Sequence, residues 1–125
     1  RYVVGPSQFP ANRADLQPLR ETHPVVYEDD LVAVLENRDA LPRAWIVHEA
    51  RQVAPGAALP LLASGAVDPR QTALLETEPP PLALAADPSR DHAAVPLHAP
   101  DAMRVLTRTD APGLLVLSEI AYPAW

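Results

Sequence analysis

Short β-branched and apolar runs, separated by turns rich in Pro, Asp and Gly, set the rhythm of this chain. Tyr2-Val3-Val4, closed by Gly5-Pro6, predicts a short edge strand. Residues 5–24 are polar and Pro-interrupted, and allow at most a helical turn or short strand around residues 16–19. A hairpin follows: Pro24-Val25-Val26-Tyr27, the acidic tip Glu28-Asp29-Asp30, then Leu31-Val32-Ala33-Val34-Leu35-Glu36. Asp suits such a tip because its carboxylate can bond nearby backbone N–H groups. After a second turn at Asn37-Arg38-Asp39-Ala40, Pro42-Arg43-Ala44 leads into the strand Trp45-Ile46-Val47-His48. Alternation puts Trp45 and Val47 on one face and Ile46 and His48 on the other.

The segment Ala57-Ala58-Leu59-Pro60-Leu61-Leu62-Ala63-Ser64 is the one good helix candidate. Pro60 falls in or near the first turn, where backbone N–H groups lack partners anyway. Gly65 supplies the stop. Leu59 and Leu62, three apart, are expected to face the sheet. Asp68-Pro69 turns the chain into a strand at Thr72-Ala73-Leu74-Leu75-Glu76. Residues 77–94 hold a triple proline and small side chains without a period, and are expected to form an exposed, flexible loop. A meander closes the chain: a strand over 95–98, a turn at Ala99-Pro100-Asp101, and a half-solvated strand over 103–109. Then come the turn Asp110-Ala111-Pro112-Gly113 and the run Leu114-Leu115-Val116-Leu117. That run is apolar on both faces, so it is expected to be a central, covered strand beside 103–109. The predicted class is α+β and β-rich: a single domain over 1–125, with a mainly antiparallel sheet or incomplete β-sandwich and one short helix near 57–64.

Composition sharpens this picture. Nearly half the residues are apolar, enough for a core at a length of 125. Proline, at 16 residues, is roughly two to three times its average usage. Each one removes a backbone donor and crowds the preceding turn, so long helices are excluded. The net charge is −6, and every basic residue is Arg. Without a basic cluster the chain is a poor partner for nucleic acid or an anionic membrane surface. Lys-free, Ala/Pro/Arg-rich usage is associated with GC-rich bacterial genomes. No Cys means no disulfide framework or thiolate chemistry. No apolar run approaches the roughly 20 residues that span a bilayer. The chain starts at Arg1 and stops soon after an apolar strand, and is expected to be an excised part of a longer protein.

Several segments occur in an order met elsewhere: Val26-Tyr27-Glu28, Leu35-Glu36-Asn37, Ala40-Leu41-Pro42-Arg43-Ala44, and Gly113-Leu114-Leu115-Val116-Leu117-Ser118-Glu119 with Tyr122-Pro123 and Trp125. Together they resemble the C-terminal, soluble extracytoplasmic part of bacterial multi-pass membrane proteins of the YfhO-like family. The likeness is best over 25–76 and 100–125, weak before 25 and absent in 77–94. Ala124 stands where the family pattern has Gly. The resemblance implies a parent that looks like a polyprenyl-phosphate-dependent glycosyltransferase in the bacterial cell membrane, with this part on the extracytoplasmic side. It also implies that the catalytic carboxylates lie outside this chain.

The residues themselves offer little chemistry. His23, His48, His92 and His98 lack a second ligand at metal-like spacing, and His48-Glu49 on a strand point apart, so no metal is expected. Glu28-Asp29-Asp30 lacks the spaced oxygens and Gly of a calcium loop. Ser64, Ser89 and Ser118 have no nucleophile-elbow context, and four Gly form no phosphate cradle, so no cofactor is expected. The candidate ligand or partner contacts are Arg43, Trp45, Tyr122 and Trp125. Trp45 has apolar strand neighbours and reads as core, with a sugar platform as the alternative. Tyr122 and Trp125 sit where the chain leaves a strand, placed to stack on a sugar or to pack under a continuation. Arg43 is placed to pair with Glu36 across the turn, or to reach an anionic ligand.

Two functions stay open: a non-catalytic module recognising a glycan or envelope polymer for its membrane-spanning remainder, or a purely structural interaction domain. A free-standing enzyme is the weakest reading, because no activated nucleophile, metal set or phosphate cradle is present. An open edge on the last strand would also allow a dimer induced by truncation.

Overall fold

A computed structural model of the chain describes residues 1–10, 12–14 and 16–119. The fold is α+β and β-rich, with mainly antiparallel pairing, as the pattern predicts. Contacts gather the chain into two compact units, Arg1–Leu41 and Pro42–Trp125.

The first unit contains β1 (Tyr2–Pro6), α1 (Gln17–Thr22), β2 (Val25–Glu28) and β3 (Val32–Glu36). The sheet order is β1-β3-β2, antiparallel throughout, with β1 on an edge as expected. Ala33 and Leu35 on β3 are fully buried. The other face, where Val4 and Tyr27 both pair with Val34 and Tyr2 pairs with Glu36, stays open. Tyr2, Val4 and Tyr27 are each more than half exposed there. Asp29 builds the hairpin tip as its chemistry predicts, with Oδ1 accepting from the N–H groups of Leu31 and Val32 at 2.8 and 2.7 Å. These two bonds, then the Tyr27 hydroxyl, hold its carboxyl below the ordinary value.

The helix α1 is longer than the single turn expected. Pro18 in its first turn has no N–H to satisfy. Arg20 in its last turn then ties the helix down. Its guanidinium donates to Ser7 O at 2.5 Å and to the Glu28 carboxylate, and lies 5.9 Å above the Phe9 ring.

The second unit contains β4 (Ala44–Val47), β5 (Glu49–Gln52), α2 (Ala58–Ala63), β6 (Thr72–Leu75), a 3-10 turn (Pro88–Arg90), β7 (His92–Ala99), β8 (Ala102–Arg108) and β9 (Leu114–Leu117). Its strands form pairs: β4-β9 and β7-β8 antiparallel, β5-β6 parallel. The parallel pair requires a crossover, and α2 provides it. Gly65 ends that helix region at φ +70°, a conformation that favours Gly, as its place in the sequence predicts.

Four expectations are corrected here. First, Leu59 and Leu62 face away from the core, at 74% and 38% exposure, because six residues make too short a helix for a full apolar stripe. Second, β7 begins at His92, so the last part of 77–94 is strand and not loop. Third, β9 is not the covered strand. Leu115 and Leu117 are 41% and 39% exposed, whereas Ala44 and Val47 on β4 are buried. Ala44 and Val47 point to opposite faces, so β4 is the strand sheltered on both sides. Fourth, β9 pairs with β4, and β8 pairs with β7 instead. An apolar run reports what a strand could bury, not which neighbours it finds.

Candidate functional site

The densest polar cluster of the second unit surrounds His48, at the end of β4. Its Nδ1 lies 2.9 Å from Ala83 O and 3.1 Å from Pro112 O. Its Nε2 lies 2.7 Å from Asp91 Oδ2. Both side chains are almost wholly buried, at 7% and 9% exposure. Carbonyl and carboxylate oxygens only accept hydrogen bonds, so an imidazole facing them on both nitrogens carries both protons. The Asp91 hydrogen bond, opposed by burial and aided by the two carbonyls, pushes the His48 pKa up.

Asp91 follows the 3-10 turn, whose start is fixed by Asp87 Oδ1 accepting from the Ser89 N–H at 3.1 Å. The Thr109 hydroxyl, then His48, holds the Asp91 carboxyl below its ordinary range. The same hydroxyl also donates to Ala111 O at 3.0 Å. The hydroxyl has one proton: turned to Ala111 O it leaves Asp91 Oδ1 buried with no partner among the described residues, and turned to Asp91 it lowers the carboxyl pKa. A His-Asp pair can serve as a general base only if the far nitrogen faces a proton to be moved. Here the far nitrogen faces two carbonyls, so the pair braces the fold.

Arg43, a predicted contact residue, is drawn into a second cluster. Its guanidinium pairs with the Glu119 carboxylate, which also lies 3.0 Å from His98 Nε2. Glu36, its expected partner, instead pairs with Arg1 at 3.3 Å and Arg38 at 3.1 Å. Arg38 first, then Arg1, overcomes partial burial to hold the Glu36 carboxyl below its ordinary value.

Trp45 is half-buried, and its Nε1–H donates to Pro69 O at 2.8 Å. It lines a cavity of about 370 Å³ with Pro42, Arg70 and Asp91. The indole thus combines packing with one wall of a cavity. Trp45→Phe removes the donor together with part of the indole's packing surface, and should cost about 2 kcal/mol and lower the denaturant midpoint without changing the slope. The remaining predicted contacts, Tyr122 and Trp125, lie outside the described residues.

The larger concavity lies along the parallel pair. It has a volume of about 630 Å³, and its walls include Glu49, Arg51, Asp68, Gln71, Thr72, Pro79, Pro80 and Leu82. Three of the polar groups are held in place: Thr72 Oγ1 donates to Glu49 Oε2 at 3.2 Å, and Asp68 Oδ1 accepts from the Arg70 N–H at 2.9 Å. None of these residues is among the contacts expected from the sequence. β5 reads Glu-Ala-Arg-Gln, without strand alternation, and becomes a strand only through pairing with β6.

Among the described residues, no group of three or more His, Asp or Glu converges as metal ligands. No described helix is long and apolar enough to cross a membrane. No family model, curated protein or solved structure matches the chain.

Proposed function

We propose that this chain is a non-catalytic recognition module that binds a neutral glycan, as the extracytoplasmic part of a bacterial membrane protein resembling YfhO-like glycosyltransferases. The observation that carries the binding reading is the groove along β5 and β6. Sugar hydroxyls donate and accept at once, and planar side chains such as Gln71, Arg51, Glu49 and Asp68 can engage neighbouring hydroxyls in pairs. Pro79, Pro80 and Leu82 supply apolar surface for the C–H faces of a pyranose ring. Glu49 and Asp68 offset Arg51 and the protonated His48, so the groove itself adds no net positive charge to a chain of charge −6. That balance opposes phosphodiester-rich polymers and favours uncharged or amino sugars. The engagement of His48 and Arg43 in internal pairs supports a binding role over a chemical one.

The test is calorimetric titration with neutral envelope-type oligosaccharides and, separately, with teichoic-acid fragments. Binding is expected for the neutral set. Arg51→Ala and Gln71→Ala should each weaken it about tenfold, the worth of one or two lost hydrogen bonds. Equal binding by the variants, or preference for the phosphodiester, would refute the groove as a neutral-glycan site.

A second reading has its own observation. The open face of the first unit presents Tyr2, Val4 and Tyr27 at 57%, 67% and 55% exposure. Aromatic and aliphatic side chains side by side on a sheet suit a protein partner. This favours the structural, protein-interaction alternative, in which no carbohydrate is bound.

A further inference from the structure

We propose that His48 is a pH-operated latch: with both ring nitrogens protonated it fastens the 79–83 segment and the 110–113 turn to the end of β4, and on losing a proton it releases them. The inference rests on the groove reading in one respect, since Pro79, Pro80 and Leu82 of that segment form a wall of the groove.

The geometry leaves few alternatives. One buried ring joins four pieces of chain: β4, the 79–83 segment through Ala83 O, the turn through Pro112 O, and Asp91. A further bond, Ala83 N–H to Pro112 O at 3.2 Å, ties the segment to the turn. The turn also comes too close for any side chain at Gly113, where a Cβ would sit 3.0 Å from His48 Cε1. A neutral imidazole has one donor. Deprotonation therefore sets a nitrogen lone pair against either the carboxylate or the two carbonyls. In a buried site that repulsion and the lost bond are relieved by opening.

The titratable neighbours are few. Asp91 is the carboxylate in contact with the ring. Glu49, Arg51 and Asp68 line the groove with His48. Arg90, His92 and Arg108 share a cavity with Asp91, and Arg70 another. The signs fix the window. The His48 pKa is raised above its ordinary 6.5, so its contribution is complete below 6.5 and is lost as pH rises through the raised value. The Asp91 pKa is lowered below its ordinary 3.8, so its contribution is complete above 3.8 and is lost as pH falls through the lowered value. The latch is fully closed between these ordinary values and opens as pH rises through the raised His48 value.

The experiment needs no ligand. Ring-nitrogen NMR of the intact chain should find His48 protonated on both nitrogens at pH 6, with a midpoint above 6.5. Between pH 6.5 and that midpoint the protection factor of the Ala83 amide should fall, by at most about tenfold per pH unit as a one-proton linkage requires, and above the midpoint it should level off. The Val34 amide of β3, in the other unit, should keep its protection. His48→Gln should lower Ala83 protection at pH 6 at least tenfold and abolish its pH dependence. A His48 midpoint at or below 6.5, or Ala83 protection that does not change with pH, would overturn the latch. Should His48→Gln not fold, the titration of the unaltered chain decides alone. Failure of oligosaccharides to bind would sink the groove reading and leave the latch intact.

Discussion

Replacing Leu35 with Ala should destabilise the first unit by about 3 kcal/mol. Leu35 is fully buried in the middle strand of a three-stranded sheet, and Ala33 is the other fully buried residue there. Truncation removes three methylene-sized groups from water-excluded space and leaves a cavity. The walls of a sheet pinned by Arg20 across Ser7 and Glu28 have little freedom to close it. A small unit has little stability in reserve. The change should appear as lost amide protection across β1, β2 and β3. Protection that survives unchanged in these strands would mean that Leu35 is not the centre of this core.

Gly113→Ala should cost about 2 kcal/mol, a large effect for a single methyl group in a turn. A Cβ there would lie 2.8 Å from Ile46 Cγ2, 3.0 Å from His48 Cε1 and 3.1 Å from Val47 O. The Ile46 methyl can move by rotation; the carbonyl of a buried strand residue cannot. The strain therefore passes to the β4-β9 register, in which Val47 faces Leu114 and Ile46 faces Leu115. The expected result is a lower denaturant midpoint together with a shifted His48 ring resonance. A midpoint equal to that of the unaltered chain would mean that the 110–113 turn retreats freely from β4.

Elements governed by neighbours in sequence were legible beforehand. The Asp29 tip, the β2-β3 hairpin, β4, and the helix ended by Gly65 all follow from side-chain reach, strand alternation and positive φ. What depended on distant partners was not. β5 carries no apolar pattern, because its strand character comes from β6 across a crossover. The apolar composition of β9 overstated its burial, since four leucine and valine side chains alternate faces whatever lies beyond them. His48 and Asp91 stand 43 residues apart, and Asp91 sat in a stretch read as loose loop. A lone His flanked by Val and Glu gives no sign of such a partner. Of the candidate contacts, Trp45 is half-buried with its indole N–H bonded to Pro69 O, whereas Arg43, expected to pair with a residue near in sequence, pairs with one 76 residues away.

The binding role is tested most directly by mapping backbone amide shifts during titration with neutral oligosaccharides. Shifts that saturate together at Glu49, Arg51, Asp68, Gln71 and Thr72 are the predicted result. Saturating shifts confined to Tyr2, Val4 and Tyr27, or no shifts at all, would contradict a glycan site on β5 and β6.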